Sequence, residues 1–151
     1  MKEEFIDKAR SARQALLASL DGIDEAALTS VRVCGTWTAR DVLAHVAASD
    51  LDILDALRQA RAGEKVTWPW DDSDVDTWNE VGVVHRRQWP MPQILAELTD
   101  THARLLAELE SWPADAGPFG PESWDLKKSP MGWLPGHDRE HAEHLQALRA
   151  R

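Results

Sequence analysis

Three histidines are spaced so that they could bind one metal ion. His137 and His141 are four residues apart. Because a helix turns by about 100° per residue, their rings would lie on one helical face, one turn apart. His45 lies on an earlier helical segment and would supply a third imidazole. Three protein nitrogens leave a coordination position open on a divalent ion, which is typical of catalytic rather than structural zinc sites. The set therefore predicts metal-assisted chemistry.

Polar side chains near these histidines could transfer protons or orient the metal ligands. Glu140, between the two late histidines, is the candidate catalytic residue. Asp138 is a further candidate, as are Ser49 and Asp52, which follow His45 by about one and two helical turns. For each of them the competing interpretation is an ordinary solvated carboxylate or hydroxyl group.

For the remaining histidines and the cysteine, the sequence gives weaker evidence of a functional role. His144 follows His141 by three residues, so it could replace one ligand or bond to one. His102 falls on the apolar stripe of a helix, where a packed histidine is the simpler interpretation, and His85 has no supporting context. Cys34 could ligate a metal or react with an electrophile, but a small buried residue before a turn is the simpler description.

Composition limits the class of protein. A chain of 151 residues has the length of one domain, which we expect to span residues 1–151. Asp and Glu outnumber Lys and Arg by 26 to 17, and the net charge of -9 argues against a nucleic-acid partner. The single cysteine excludes an intrachain disulfide and favours a reducing compartment. Without a signal-like or membrane-spanning run, the sequence predicts a cytoplasmic protein with no membrane partner.

Apolar residues recur three and four positions apart along most of the chain, which predicts helices. The predicted segments are Lys2–Leu20, a short turn at Glu25–Leu28, Thr38–Arg61, Asp74–Gln88, a stretch from Met91 to Trp112 and a last helix after Pro135-Gly136. Thr38 with Asp41 resembles a capping box at the start of its helix. Strand signals are almost absent, so we expect an all-α four-helix bundle, a fold in which metal sites are commonly built from facing side chains.

Long irregular connectors join these helices. Residues 113–135 contain five prolines and three glycines and have no helical period, which predicts a loop that could cover a pocket. The chain has eight tryptophans and no tyrosine. Five of the tryptophans lie in or beside connectors, namely Trp68, Trp70, Trp112, Trp124 and Trp133. Sealing the ends of the bundle is their simplest role, and lining a pocket or meeting a second subunit are the alternatives.

The segments VCGTWTARDVLAHV, VDTWNE and GHDREHAEH resemble the DinB-like superfamily of four-helix metal proteins, over nearly the whole chain. The Cys-Gly-x-Trp-Thr opening and the late Gly-His-x-x-Glu-His segment are most similar to the DfsB/ClbS branch. The thiol-dependent maleylpyruvate isomerases are a second similar branch. The resemblance implies a DinB/YfiT-like bundle with a metal triad at His45, His137 and His141, whereas the linker Trp68-Pro69-Trp70 matches nothing in that pattern.

The activity that the resemblance implies is broad, because the superfamily includes transferases that use low-molecular-weight thiols, an isomerase and a hydrolase, and its members are often homodimers. We therefore expect a divalent-metal-dependent hydrolase or thiol S-transferase that detoxifies a small electrophilic molecule or protects against it. Three imidazoles suit zinc, nickel, iron or copper, and we expect Zn, Ni or Fe, with a low-molecular-weight thiol as a further cofactor of the transferase. The alternatives are a non-catalytic protein that sequesters a small molecule and a dimeric bundle in which the metal is only a structural staple.

Overall fold

The computed structural model describes residues 1–71 and 74–149, and these residues are mainly helical, in agreement with the predicted all-α class. The elements are α1 (Lys2–Ala18), α2 (Glu25–Ser30), β1 (Arg32–Cys34), β2 (Trp37–Thr38), α3 (Ala39–Arg61), α4 (Val75–Val84), α5 (Met91–Glu110) and α6 (Leu134–Gln146). A single 3₁₀ turn, Pro69–Asp71, precedes α4. Asp72 and Ser73 of the predicted acidic connector lie outside the described residues. Within the described part, no helix is both long enough and apolar enough to cross a bilayer.

α1 forms because its apolar residues repeat at helical spacing and its first turn is acidic. Glu3 and Glu4 lie near the positive end of the helix dipole, and their negative charges stabilise the helix there. The buried stripe consists of Phe5, Ile6, Ala9, Ala12 and Leu16. After the helix ends, the chain reverses at Gly22, whose φ of +76° is left-handed backbone that glycine adopts at little cost. The buried stripe packs α1 mainly against α6.

A short antiparallel hairpin precedes α3, where the sequence predicted only irregular chain. Arg32 pairs with Thr38, Cys34 pairs with Trp37, and Gly35 in the turn has a φ of +55°. Two and three residues are too few to give the alternating pattern that predicts a strand. The hairpin therefore depends on its turn and on the packing of Cys34 and Trp37 against the core, neither of which leaves a periodic signal.

α3 carries the first predicted metal ligand and begins at the predicted capping box. The amide of Asp41 donates to the Thr38 hydroxyl at 3.3 Å, and the Thr38 amide donates to the Asp41 carboxylate at 3.1 Å. These bonds satisfy amides that the first helical turn would otherwise leave unpaired. The helix packs against both α5 and α4, so His45 faces the interior and is only 5% exposed.

α4 is shorter than predicted. It begins as expected behind the cap Asp74 but ends at Val84, and the chain then forms turns up to Trp89. Pro90 restricts only the residue before it and therefore explains the predicted end near Gln88 rather than this earlier one. From Arg86 onward the backbone bonds span three residues instead of four, and the Arg86 side chain donates to the Gly82 oxygen at 2.9 Å. α4 approaches α3 closely at Gly82, where an added Cβ would lie 2.9 Å from the Cβ of Ala48. This close approach keeps α4 beside the half of α3 that carries His45.

The apolar core has two parts, with a polar layer between them. The first part joins the starts of α3 and α5 to the ends of α1 and α6, and the second joins the opposite ends. α1 and α6 therefore run in one direction, and α3 and α5 run in the other. Residues that lie along the helices between the two parts are Arg13, Asp50, His102 and Asp138, all of them buried. The connector after α5 also contributes to the core through buried Trp124 and Met131.

Candidate metal centre

The three histidines predicted from the sequence meet at one point. Nε2 of His137 lies 2.9 Å from Nε2 of His45 and 3.1 Å from Nε2 of His141. One possible ligand atom from each ring lies within 4.8 Å of the others. α6 supplies two rings because its i, i+4 spacing puts them on one face, and α3 supplies the third. The group could hold a metal ion.

The environment keeps these imidazoles in the form that binds metals. Burial lowers the pKa of His45 to about 3, with a smaller effect from His141. Burial likewise lowers the pKa of His141 to about 4, and it holds the pKa of His137 well below the ordinary value of 6.5. The rings are therefore neutral at pH 7. Without a metal, these nitrogens can share a ring proton in N–H···N hydrogen bonds, whose direction depends on the tautomers. Neutral imidazole nitrogens that converge in this way are the donors that a divalent ion such as zinc binds.

His144 contacts the triad from its outer side. Its Nδ1 atom lies 3.3 Å from Nδ1 of His141, whose Nε2 faces His137. A proton on Nδ1 of His141, donated to His144, leaves the Nε2 lone pair free for a metal. Of the two roles that the sequence left open, the geometry favours orientation of a ligand rather than replacement of one.

A pocket of about 470 Å³ opens beside the triad. Two of the three histidines, His45 and His137, contribute to its wall. The other lining residues in the described part come from α3, the 3₁₀ turn, α4 and the connector before α6, and they are Ser49, Trp70, Val75, Asn79, Pro130 and Trp133. A molecule in this pocket would contact two of the three histidines. The volume is within the range of small-molecule sites.

A family model described as the DinB superfamily matches residues 8–145. This chain belongs to the DinB superfamily. The matched range contains His45, His137 and His141. No curated protein and no solved structure matched the chain.

In this DinB superfamily chain, the predicted catalytic residue lies apart from the triad. The side chain of Glu140 is exposed, and among the described residues it belongs to neither the metal-binding group nor the pocket wall. Burial raises the pKa of the Cys34 thiol, and the negative charge of Glu140 raises it further. A role for Glu140 in proton transfer stays a prediction.

The other polar candidates are distributed around the site. The Ser49 hydroxyl is buried and donates to the backbone oxygen of His45 at 3.0 Å, so it joins the pocket wall to a predicted ligand. Asp52 accepts a hydrogen bond from Nε1 of Trp78 at 2.9 Å, and burial raises its pKa to about 6. His85 is exposed at the end of α4, in agreement with its weak sequence context.

One buried arginine connects the four long helices beneath the triad. Arg13 of α1 donates to Asp138 of α6 at 2.6 Å, to Asp50 of α3 at 2.8 Å and to the backbone oxygen of Leu98 in α5 at 2.8 Å. Burial alone would lower the pKa of this guanidinium, but the two carboxylates together raise it. His102 completes the layer, with Nδ1 at 3.5 Å from Asp50. The bonds of Arg13 to α3, α5 and α6 hold α6, which carries His137, against the other helices.

Several of these residues were missed by reasoning from the sequence. Arg13 and Asp50 interrupt otherwise apolar stripes, and a charge in such a stripe is a signal of a buried ion pair. Asn79 and Pro130 carried no signal, because their contribution depends on how the connectors fold over the helices. For Trp70 and Trp133 the sequence left pocket lining open as an alternative to sealing the bundle ends, and the structure places both in the pocket wall.

Proposed function

We propose that this protein is a divalent-metal-dependent enzyme that acts on a small electrophilic molecule, by hydrolysis or by thiol transfer. The observation that carries the proposal is the convergence of three neutral imidazoles, two of which line a small pocket. A divalent ion bound there would supply Lewis acidity, which lowers the pKa of a coordinated water or thiol. Zn, Ni or Fe fits the imidazole donors.

The chain's own residues would prepare this chemistry. Burial keeps His45, His137 and His141 neutral, and His144 orients the ring of His141. The pocket holds the electrophile next to the ring nitrogens and limits its contact with bulk water. The role of these residues is therefore binding, orientation and desolvation.

Glu140 remains our proposed proton-transfer residue, on the basis of its place in the motif between the two late histidines. Because the carboxylate is exposed, it would act through water or after a local rearrangement. General acid–base catalysis typically contributes about 10²–10⁴-fold to a rate. Glu140→Gln should therefore lower kcat by at least about a hundredfold without loss of metal, and an unchanged kcat would remove Glu140 from the mechanism.

Finer assignments belong to the same proposal. The core of α1, α3, α5 and α6 is a four-helix bundle, and the chain is a member of the DfsB/ClbS-like branch, an assignment supported by VCGTWTARDVLAHV and GHDREHAEHL. The protein is a cytoplasmic homodimer, as expected from the cysteine content and from the resemblance. Light scattering coupled to size-exclusion chromatography measures the oligomeric state.

The alternative is a non-catalytic protein that sequesters a small molecule. The observation that favours it is the tryptophan-lined wall, combined with the absence of a carboxylate among the described lining residues. Such a protein would remove one molecule of electrophile per chain and then stop.

A turnover assay separates the two functions. Metal-loaded, chelator-treated and His45→Ala proteins would be incubated with 4-nitrophenyl acetate, and separately with 1-chloro-2,4-dinitrobenzene and cysteine. Multiple turnovers by the loaded protein, lost on chelation and in the variant, are expected for the enzyme. A single equivalent consumed per chain supports sequestration, and turnover that survives metal removal contradicts the metal-dependent mechanism.

A further inference from the structure

Aromatic rings form a continuous surface that leads into the pocket. Trp68 stacks on Trp70 with ring centroids 5.2 Å apart and an interplanar angle of 18°. Trp70 meets Trp133 edge to face at 6.3 Å and 76°, and Trp133 meets His137 in the same way at 5.0 Å and 84°. The rings contact one another in sequence and so form one aromatic wall. An aromatic wall is complementary to flat ligands, because π systems stack or pack edge to face.

The other residues that line the described part of the wall are uncharged. Pro130 and Val75 are apolar, and Val75 is 48% exposed although it is a branched apolar side chain. Among the described lining residues there is no Asp, Glu, Lys or Arg. A charged ligand would therefore lose its hydration without gaining an ion pair from these side chains, which disfavours it.

In the described part of the wall, the carboxamide of Asn79 is available to bind a ligand. The Ser49 hydroxyl already donates to the backbone oxygen of His45. The carboxamide of Asn79 is partly buried and makes no hydrogen bond to the part of the chain that the structure describes. An amide group both donates and accepts, so it matches a carbonyl or amide on the ligand.

We propose that the pocket binds an uncharged, planar, conjugated molecule that carries a carbonyl group. Its flat part lies against Trp70 and Trp133, and its carbonyl points towards Asn79 and the triad. The volume of about 470 Å³ accommodates a molecule of about two fused rings. This inference rests on the proposed function only for the activation of the carbonyl, because the flat part of the ligand contacts Trp70 and Trp133 and not the metal.

The test compares two probes that differ in planarity. Equilibrium dialysis would measure the Kd of 2-naphthamide and of its saturated analogue, decahydronaphthalene-2-carboxamide, with the full chain in metal-free and Co²⁺-loaded forms. The variants are Trp70→Leu, Trp70→Phe and Asn79→Leu. Trp112→Leu is the control, because this tryptophan packs on Arg61 and is not among the described lining residues. Circular dichroism of every variant confirms that it is folded.

We expect 2-naphthamide to bind roughly tenfold more tightly than the saturated analogue, a difference that corresponds to one aromatic contact. Trp70→Leu should remove that preference, Trp70→Phe should keep part of it, and Asn79→Leu should weaken both probes. Trp112→Leu should change neither affinity. Equal binding of the two probes, an unchanged preference in Trp70→Leu or no binding at all would overturn the inference.

The same samples distinguish this inference from the proposed function. The Co²⁺ absorption spectrum reports metal binding independently of either probe. Selective binding of 2-naphthamide to a protein that binds no Co²⁺ would contradict the metal-dependent enzyme and leave the ligand class intact. Co²⁺ binding without selective probe binding would support the metal site and refute the ligand class.

Discussion

Arg13 donates through Nε to Oδ2 of Asp138 at 2.6 Å. Asp138 is the residue directly after His137 and lies three residues before His141. Arginine and aspartate are both about 5% exposed or less, and the same guanidinium also reaches Asp50 at 2.8 Å. A contact that is central to the helix packing is therefore adjacent in sequence to a predicted metal ligand. Stability and metal binding should be coupled through it.

Arg13→Met should lower the free energy of unfolding by about 3–5 kcal/mol, because it leaves two carboxylates buried without their cation. The matched control is Arg10→Met on the same helix. Arg10 pairs with Glu110 at 2.7 Å but is 42% exposed, so its loss should cost about 1 kcal/mol or less. Urea denaturation of the metal-free proteins measures both values. Similar losses in the two variants would contradict the importance of the buried pair.

Arg13→Lys should remain folded but bind metal more weakly than the unmodified protein. A single ammonium cannot reproduce the planar set of bonds from Arg13 to Asp50, Asp138 and the Leu98 oxygen. The α6 face that carries His137 and His141 would then be less well fixed. Competition with a chelator measures the metal Kd. An unchanged Kd would mean that Arg13 stabilises the fold without orienting the ligands.

His144→Phe should weaken metal binding by roughly 10–100-fold, the usual effect of losing a partner that orients a ligating histidine. His144→Asn should recover part of this loss, because its amide oxygen can accept the proton from Nδ1 of His141. His85→Ala is the control, since His85 is exposed at the end of α4. Isothermal titration calorimetry with Zn²⁺ gives the three affinities, and equal values for His144→Phe and the control would exclude the orienting role.

Acid should destabilise the metal-free protein through the buried histidines. The unfolded chain binds a proton at His45 below about pH 6.5, whereas the folded chain does not until about pH 3, so falling pH favours unfolding in between. Burial raises the pKa of Asp52 to about 6 and also raises that of Asp138, and these two shifts act in the opposite direction. A variant that removes only His45 isolates the effect of that ring.

Between pH 4 and pH 6, His45→Gln should therefore lose stability on acidification less steeply than the unmodified protein, by about 1.4 kcal/mol per pH unit. Urea denaturation in the presence of a chelator, repeated at several pH values, measures the two slopes. Identical slopes would show that His45 titrates alike in the folded and unfolded chains.

The sequence predicts those features that have a local period or a fixed spacing. The i, i+4 pair His137 and His141 and the capping box of Thr38 follow from such spacing, and the helix that begins at Met91 follows from its apolar period. The hairpin at Arg32–Cys34 could not be predicted, because its strands are shorter than any period. Pocket residues such as Asn79 are brought to the site by the packing of α4 on α3, which depends on the whole core.

An anomalous-difference map from crystals grown with a single divalent metal tests the central claim most directly. The account predicts one strong peak per chain, within about 2.0–2.3 Å of Nε2 of His45, His137 and His141, and no such peak in crystals of His45→Ala. A well-ordered triad without a peak at saturating metal, or a peak bound to other residues, would contradict it.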